Sequence, residues 1–158
     1  MISPIKGGIV NHRYNKTLHG RSVYRKTDVP GHNVVLGYSR PGTGDGLDIF
    51  TNAGEQVFAM HGGRINRIAD REGLLAGIYV AGKGVTTVYA HLHIHEKINL
   101  GTVVHEGECI GWVGRKLADP HLHLEVWIDG KSISARTPAQ LAVKIGQITA
   151  PSPNNSRP

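Results

Sequence analysis

The sequence predicts a mainly β fold, a single antiparallel domain of sandwich-like or barrel-like form. Short apolar segments that alternate with polar residues follow one another through the middle of the chain, and glycine-containing turns separate them. The 158 residues include 21 glycines and only 6% aromatic residues, which favours many turns over a helical bundle. A chain of this length suits one domain with its own hydrophobic core.

The predicted strands occupy the chain from residue 33 to residue 128. In order they are 33–38, 47–50, 56–60, 64–69, 74–81, 85–91, 102–104, 109–113 and 119–128. Gly82, Lys83 and Gly84 separate two strands at hairpin spacing. One short C-terminal helix is predicted over 137–146, because Thr137 can cap it and proline suits its first position.

The composition along the chain predicts three parts. Residues 1–31 are basic and polar and form an arm or a hairpin, residues 32–146 form the β domain, and residues 147–158 form a tail without apolar periodicity. The single cysteine, Cys109, excludes an internal disulfide and a cysteine-based zinc site.

The net charge of +6 favours anionic surroundings such as nucleic acid, anionic lipid or the polymers of a bacterial wall. A diffuse solvated surface is the simpler explanation of the same charge. Nucleic-acid binding is not expected, because the chain has no basic run of five residues and no helix with clustered arginines. No segment is long and apolar enough to predict a membrane span. The first residues lack the long apolar region of a signal peptide, so synthesis in the cytoplasm is expected.

The most informative segment is the last predicted strand. Its two-residue period places His121, His123, Glu125 and Trp127 on one face and aliphatic residues on the other. Two imidazoles at this spacing on a stiff strand can converge on a metal ion or a polarised water. A solvated strand face that happens to carry two histidines is an equally good interpretation of the spacing alone.

Two further polar residues, Asp48 and His91, lie within or at the end of apolar strands. Together with His121 and His123 they supply the residue types of a zinc hydrolase, which needs three protein ligands and a fourth position for water. A neighbouring imidazole can exchange protons with that water.

In this pattern the chain resembles the M23 family of zinc metallopeptidases, the lysostaphin-like or LytM-type domains that cut peptide bonds in peptidoglycan. The resemblance covers residues 37–136. The segments that carry it are 46–49 (GLDI), 53–59 (AGEQVFA), 62–65 (GGRI), 88–92 (VYAHL), 107–114 (GECIGWVG) and 120–126 (PHLHLEV).

The resemblance implies a zinc cofactor held by Asp48 and His123, with His91 and His121 as the catalytic pair. It implies peptidoglycan peptide as the partner and the bacterial cell wall as the place of action. The resemblance assigns no role to Glu125. It is interpreted as a buried residue that contacts a metal ligand rather than the metal.

The sequence departs from the family pattern at Gly44, where the family has a third ligand, a histidine four residues before the aspartate. Asp45, one residue out of register, or His32 could fold in as a replacement. The loop 115–119 is also short and charged where the family has a small, serine- and glycine-rich loop.

The remaining histidines are predicted to lie outside the site. His93 and His95 are expected in a solvated loop, although their spacing from His91 leaves a three-histidine face open. His61 is expected in a turn and His105 at the surface, and two more belong to the N-terminal arm, His12 and His19.

Three functions follow as hypotheses. The first is an active zinc endopeptidase that hydrolyses peptide bonds in wall cross-links or stem peptides. The second is a degenerate, metal-free M23-like module that binds wall peptide or regulates a wall hydrolase. The third is a structural component of a phage tail or similar wall-penetrating assembly, with other subunits of that assembly as partners.

Overall fold

The computed structural model describes residues 1–6, 13–15, 46–71, 76–115, 118 and 120–133. The predicted strand 33–38, the predicted helix 137–146 and the proposed boundaries between arm, domain and tail lie outside these residues. Within them the fold is β throughout, without a helix, and no helix among them could cross a membrane.

In the described part of the chain, eleven strands form two antiparallel sheets, and the predicted mainly β, sandwich-like architecture is confirmed. The strands are β1 (Arg13–Asn15), β2 (Leu47–Phe50), β3 (Gln56–Phe58), β4 (Gly63–Ala69), β5 (Gly77–Ala81), β6 (Val85–Ala90), β7 (Leu92–Ile94), β8 (Val103–Val104), β9 (Cys109–Val113), β10 (His121–Ile128) and β11 (Lys131–Ser132).

The large sheet has eight strands in the order β1-β2-β10-β6-β5-β4-β8, with β11 added to β10. Its longest strand, β10, is the double-histidine segment, which pairs with β2 on one side and β6 on the other. The predicted hairpin joins β5 to β6, and the Gly82 N–H donates to the Val85 carbonyl at 2.8 Å. Strand β10 therefore holds its side chains between two neighbours of fixed register.

The small sheet, in the order β3-β9-β7, lies against the large one. A single hydrophobic cluster takes buried side chains from both sheets, among them Leu124 and Ile78 from the large sheet and Val57 and Ile110 from the small sheet. Because residues alternate between the faces of a strand, this core fixes which side chains of β10 point away from it.

The first six residues also contribute to the core. Ile5 is 1% exposed, the Ile2 N–H donates to the Met60 carbonyl, and the Phe58 N–H donates to the Pro4 carbonyl. Part of the predicted N-terminal arm therefore packs on the β domain, and Arg13–Asn15 adds strand β1 to the edge of β2.

Candidate active site

The site is built on the pairing of β2 with β10. In this antiparallel register Asp48 lies directly opposite His123, and paired residues of neighbouring strands point to the same face. The Asp48 Oδ1 atom is 3.0 Å from His123 Nδ1, and both side chains are almost fully buried. Two residues that are far apart in the sequence thus form one polar pair on the face opposite the core.

His121 lies on the same face, one strand period before His123. Its Nε2 atom is 3.7 Å from Asp48 Oδ1, and its ring packs beside Phe50 with centroids 5.1 Å apart. Phe50 is the residue opposite His121 in the register. The aromatic neighbour covers one side of the imidazole, so His121 is only 7% exposed.

His91 follows the last residue of β6 and has a φ of 65°, a left-handed conformation uncommon for a residue with a side chain. The Gly114 N–H donates to its carbonyl at 2.9 Å, and the Leu92 N–H donates to Ala76. This bend turns the chain from the large sheet into β7. It leaves the His91 ring 4.7 Å from that of His121 and 6.0 Å from that of His123.

The four residues predicted from the sequence, Asp48, His91, His121 and His123, are therefore brought together in one cluster. Each is buried, with at most 7% of its surface exposed. Burying this many polar residues lowers the stability of the fold unless they are paired with one another, and such clusters are typical of functional sites.

His123 also contacts a second carboxylate. Its Nε2 atom is 2.9 Å from Glu125 Oε1, and the Trp127 indole N–H donates to Glu125 Oε2 at 3.0 Å. Burial lowers the pKa of His123, but the hydrogen bonds to Asp48 and Glu125 outweigh it and raise the pKa to about 10. Without a metal, this imidazole is therefore protonated at neutral pH.

Gly46 is a constraint that sequence reasoning missed. A Cβ atom at this position would lie 2.5 Å from His123 Cε1 and 2.9 Å from the Leu124 carbonyl oxygen. Only glycine leaves room for the imidazole there. The sequence signal was the position of Gly46 at the start of the GLDI segment. The contact itself joins two strands, so that segment alone does not predict it.

The donor atoms fit part of a zinc site. Oxygen and nitrogen ligands of a tetrahedral zinc ion are about 3.3 Å apart, close to the 3.0 Å between Asp48 Oδ1 and His123 Nδ1. Across the described parts of the chain, no group of three or more His, Cys, Asp or Glu residues is arranged to hold a metal. Gly44, Asp45 and His32, where the third ligand is in question, lie outside those parts.

The other described histidines differ in surroundings. His93 is exposed, as expected, but it belongs to strand β7 where a loop was predicted, and the rings of His93 and His95 both contact Trp112. His105 is exposed, as predicted. His61 lies at a bend, as predicted, yet it is 7% exposed and hydrogen-bonded on both ring nitrogens. His12 and His19 lie outside the described residues.

Known structures share this arrangement of strands. Lysostaphin from Staphylococcus simulans, an antimicrobial peptidase, is 27% identical, with a TM-score of 0.52 over 75% of this chain and 55% of its own. Its catalytic domain is 23% identical, with a TM-score of 0.52 over 84% of this chain and 93% of its own. A zinc-containing peptidase from Vibrio cholerae is 20% identical, with a TM-score of 0.55 over 84% of this chain and 38% of its own.

The chain spans less than two thirds of the length of the Vibrio protein and of lysostaphin. Among curated proteins, none matches it at a significant level. Residues 42–135, more than half of the chain, match peptidase family M23, and they include the whole polar cluster. The chain belongs to peptidase family M23.

Proposed function

We propose that this domain is a zinc-dependent endopeptidase that hydrolyses peptide bonds in the cross-links or stem peptides of peptidoglycan. The observation that carries the proposal is the buried cluster in which Asp48 Oδ1 lies 3.0 Å from His123 Nδ1 and 3.7 Å from His121 Nε2. Asp48 and His123 would hold the metal. His91 and His121, whose rings are 4.7 Å apart, would act on the substrate.

Zinc, when bound, supplies a Lewis acid that lowers the pKa of a water molecule and polarises the scissile carbonyl. The imidazoles of His91 and His121 would divide the remaining work between proton transfer and stabilisation of the oxyanion. One of them accepts a proton as the water oxygen bonds to the carbonyl carbon, and the proton then passes to the amine nitrogen as the C–N bond breaks. The other donates a hydrogen bond to the oxyanion of the tetrahedral intermediate.

The proposed substrate agrees with the charge of the protein. A net charge of +6 attracts a basic domain to the anionic polymers of a bacterial wall, which raises the local concentration of enzyme there. We therefore propose the cell wall as the place of action and wall peptide as the partner.

The test separates the proposed ligands from the proposed catalytic histidines. Zinc content of the purified protein and release of new amino groups from isolated peptidoglycan are measured for the wild type, His123→Ala and His121→Ala. We expect His123→Ala to lose both zinc and activity. His121→Ala should keep zinc and lose at least about 100-fold in activity, the usual contribution of a general acid or base.

His93→Ala serves as the matched control, because His93 is an exposed histidine on the small sheet. It should leave zinc content and cleavage unchanged. A wild-type protein that binds no zinc and releases no amino groups under any metal supplementation would contradict the proposal.

A metal-free binding module is the second candidate. Its support is Gly44 in the place of a ligand, together with the hydrogen bonds by which Asp48 and Glu125 hold a protonated His123 without a metal. This module would bind wall peptide without cleaving it, alone or with other subunits of a phage tail or similar assembly. Saturable binding of muropeptides by zinc-free, inactive protein would favour it.

A further inference from the structure

We infer that Glu125 is a positioning residue that fixes the ring and the proton of His123, so that the Nδ1 atom of this histidine is presented to the metal beside Asp48. The inference rests on the proposed zinc site. It adds a residue to which the family resemblance assigned no role.

The geometry is a continuous chain of contacts along one face of β10. Asp48 Oδ1 lies 3.0 Å from His123 Nδ1, His123 Nε2 lies 2.9 Å from Glu125 Oε1, and Glu125 Oε2 lies 3.0 Å from the indole nitrogen of Trp127. Three of these residues are two positions apart on one strand, so the pleat itself sets their spacing.

The chemistry of the partners fixes the direction of each hydrogen bond. An indole nitrogen only donates, so Glu125 Oε2 accepts from Trp127. An ionised carboxylate only accepts, so His123 Nε2 carries a proton and donates to Oε1. A neutral His123 that keeps the proton on Nε2 has its lone pair on Nδ1, the nitrogen that faces Asp48.

Burial makes this arrangement stiff. Glu125 is 1% exposed and Trp127 is 2% exposed, so water does not compete for the carboxylate. A carboxylate that accepts the second N–H of a ligating histidine orients the ring and strengthens the nitrogen as a donor. Loss of such a partner weakens metal binding by about 10–100-fold in other metal sites.

The test measures zinc affinity by competition with a chelating dye for four proteins. They are the wild type, Glu125→Gln, Trp127→Phe and Glu108→Gln, the last as a carboxylate-to-amide control at a partly exposed ion pair with Lys97. In Glu125→Gln the amide offers a single acceptor to two donors, so it cannot satisfy both His123 and Trp127. We expect an affinity about 10–100-fold weaker for Glu125→Gln, a loss of a few-fold for Trp127→Phe, and no change for Glu108→Gln.

A second readout is the ¹⁵N NMR signal of His123 Nε2 in the metal-free protein. Its proton should exchange slowly in the wild type and rapidly in Glu125→Gln, a change that a merely structural carboxylate would not produce. If Glu125→Gln fails to fold, Trp127→Phe decides both measurements, because it removes the indole donor that orients the carboxylate. Zinc affinity should then fall a few-fold and the Nε2 proton should exchange faster, and no change in either would overturn the inference.

Equal zinc affinity in folded Glu125→Gln and the wild type would overturn the inference and leave the zinc peptidase proposal standing. A wild type that binds no zinc would overturn the zinc proposal instead. The exchange of the Nε2 proton then decides the inference, since equal exchange in both proteins means that Glu125 does not position His123.

Discussion

Two buried histidines on opposite faces of the large sheet have pKa values that are shifted in opposite directions. His123 lies between two carboxylates, and its pKa rises to about 10. His61 lies between a backbone carbonyl and a threonine hydroxyl, and burial lowers its pKa. Both rings are hydrogen-bonded on both nitrogens, so the charge of the partners, and not burial itself, sets the sign.

The surroundings of His61 form a buried polar chain on the core side. The Met60 N–H donates to the Tyr89 hydroxyl at 2.8 Å, Tyr89 is hydrogen-bonded to Thr87, and Thr87 Oγ1 is 2.7 Å from His61 Nε2. His61 Nδ1 donates to the Gly62 carbonyl at 2.8 Å, so the neutral ring accepts from Thr87. This chain has no charged member, and it stabilises the neutral imidazole.

The largest effect is expected from Gly46→Ala, which disturbs the surroundings of His123. The added Cβ would lie 2.5 Å from the imidazole and 2.9 Å from a backbone oxygen, so the ring must move away from Asp48. We expect a loss of about 3 kcal/mol in the free energy of unfolding together with loss of zinc binding. Denaturant unfolding and zinc titration measure both.

Gly62→Ala is the control for this substitution, because the nearest atom to its Cβ is at an ordinary 3.5 Å. It should retain zinc binding. If Gly46→Ala bound zinc as the wild type does, the tight contact with His123 would have no functional meaning.

Thr87→Val disrupts the hydrogen bonds around His61. It removes the hydroxyl between Tyr89 and His61 and leaves buried polar groups without their partner. We expect the free energy of unfolding to fall by about 2 kcal/mol, with zinc affinity unchanged. Thr86→Val, next to it on β6 but facing the other side, should stay within about 0.5 kcal/mol of the wild type. Equal stabilities of the two variants would contradict this account.

Asp48→Asn tests the charge argument directly in the metal-free protein. With one of its two carboxylates neutral, His123 should lose at least about one pKa unit, or about 1.4 kcal/mol of interaction with its charged form. NMR titration of the His123 ring measures the shift. Asp129→Asn, at an exposed turn, should leave the titration at about 10. An unchanged titration in Asp48→Asn would contradict the charge argument.

The smallest effect concerns the pH dependence of stability. The pKa of His61 in the folded protein lies below the ordinary value of 6.5, so its contribution to stability is complete above pH 6.5 and is lost as the pH falls below it. Between pH 7.5 and pH 5, the wild type should lose up to about 1 kcal/mol more stability than His61→Gln. The exposed His105→Gln should follow the wild type, and parallel curves for all three proteins would exclude this role of His61.

The sequence predicted which polar residues come together better than it predicted their surroundings. The two-residue period of side chains along β10 was enough to place His121 and His123 on the face away from the core. The segments of its two neighbours, β2 and β6, were also predicted as strands. The contact of Gly46 with His123 could not be predicted, because it depends on the register between strands that are distant in the chain. His61 was predicted only as a turn residue, since the glycines beside it signal a bend but say nothing about the Thr87 hydroxyl that the sheet brings to it.

The register of β2 and β10 has a consequence for folding. Asp48 and His123 are 75 residues apart in the chain, and β10 must pair with β2 before they meet. Closing so long a loop costs entropy that only the finished sheet recovers, and contacts of such high sequence separation form slowly. The polar pair therefore forms late in folding, once β10 has joined β2 in the large sheet.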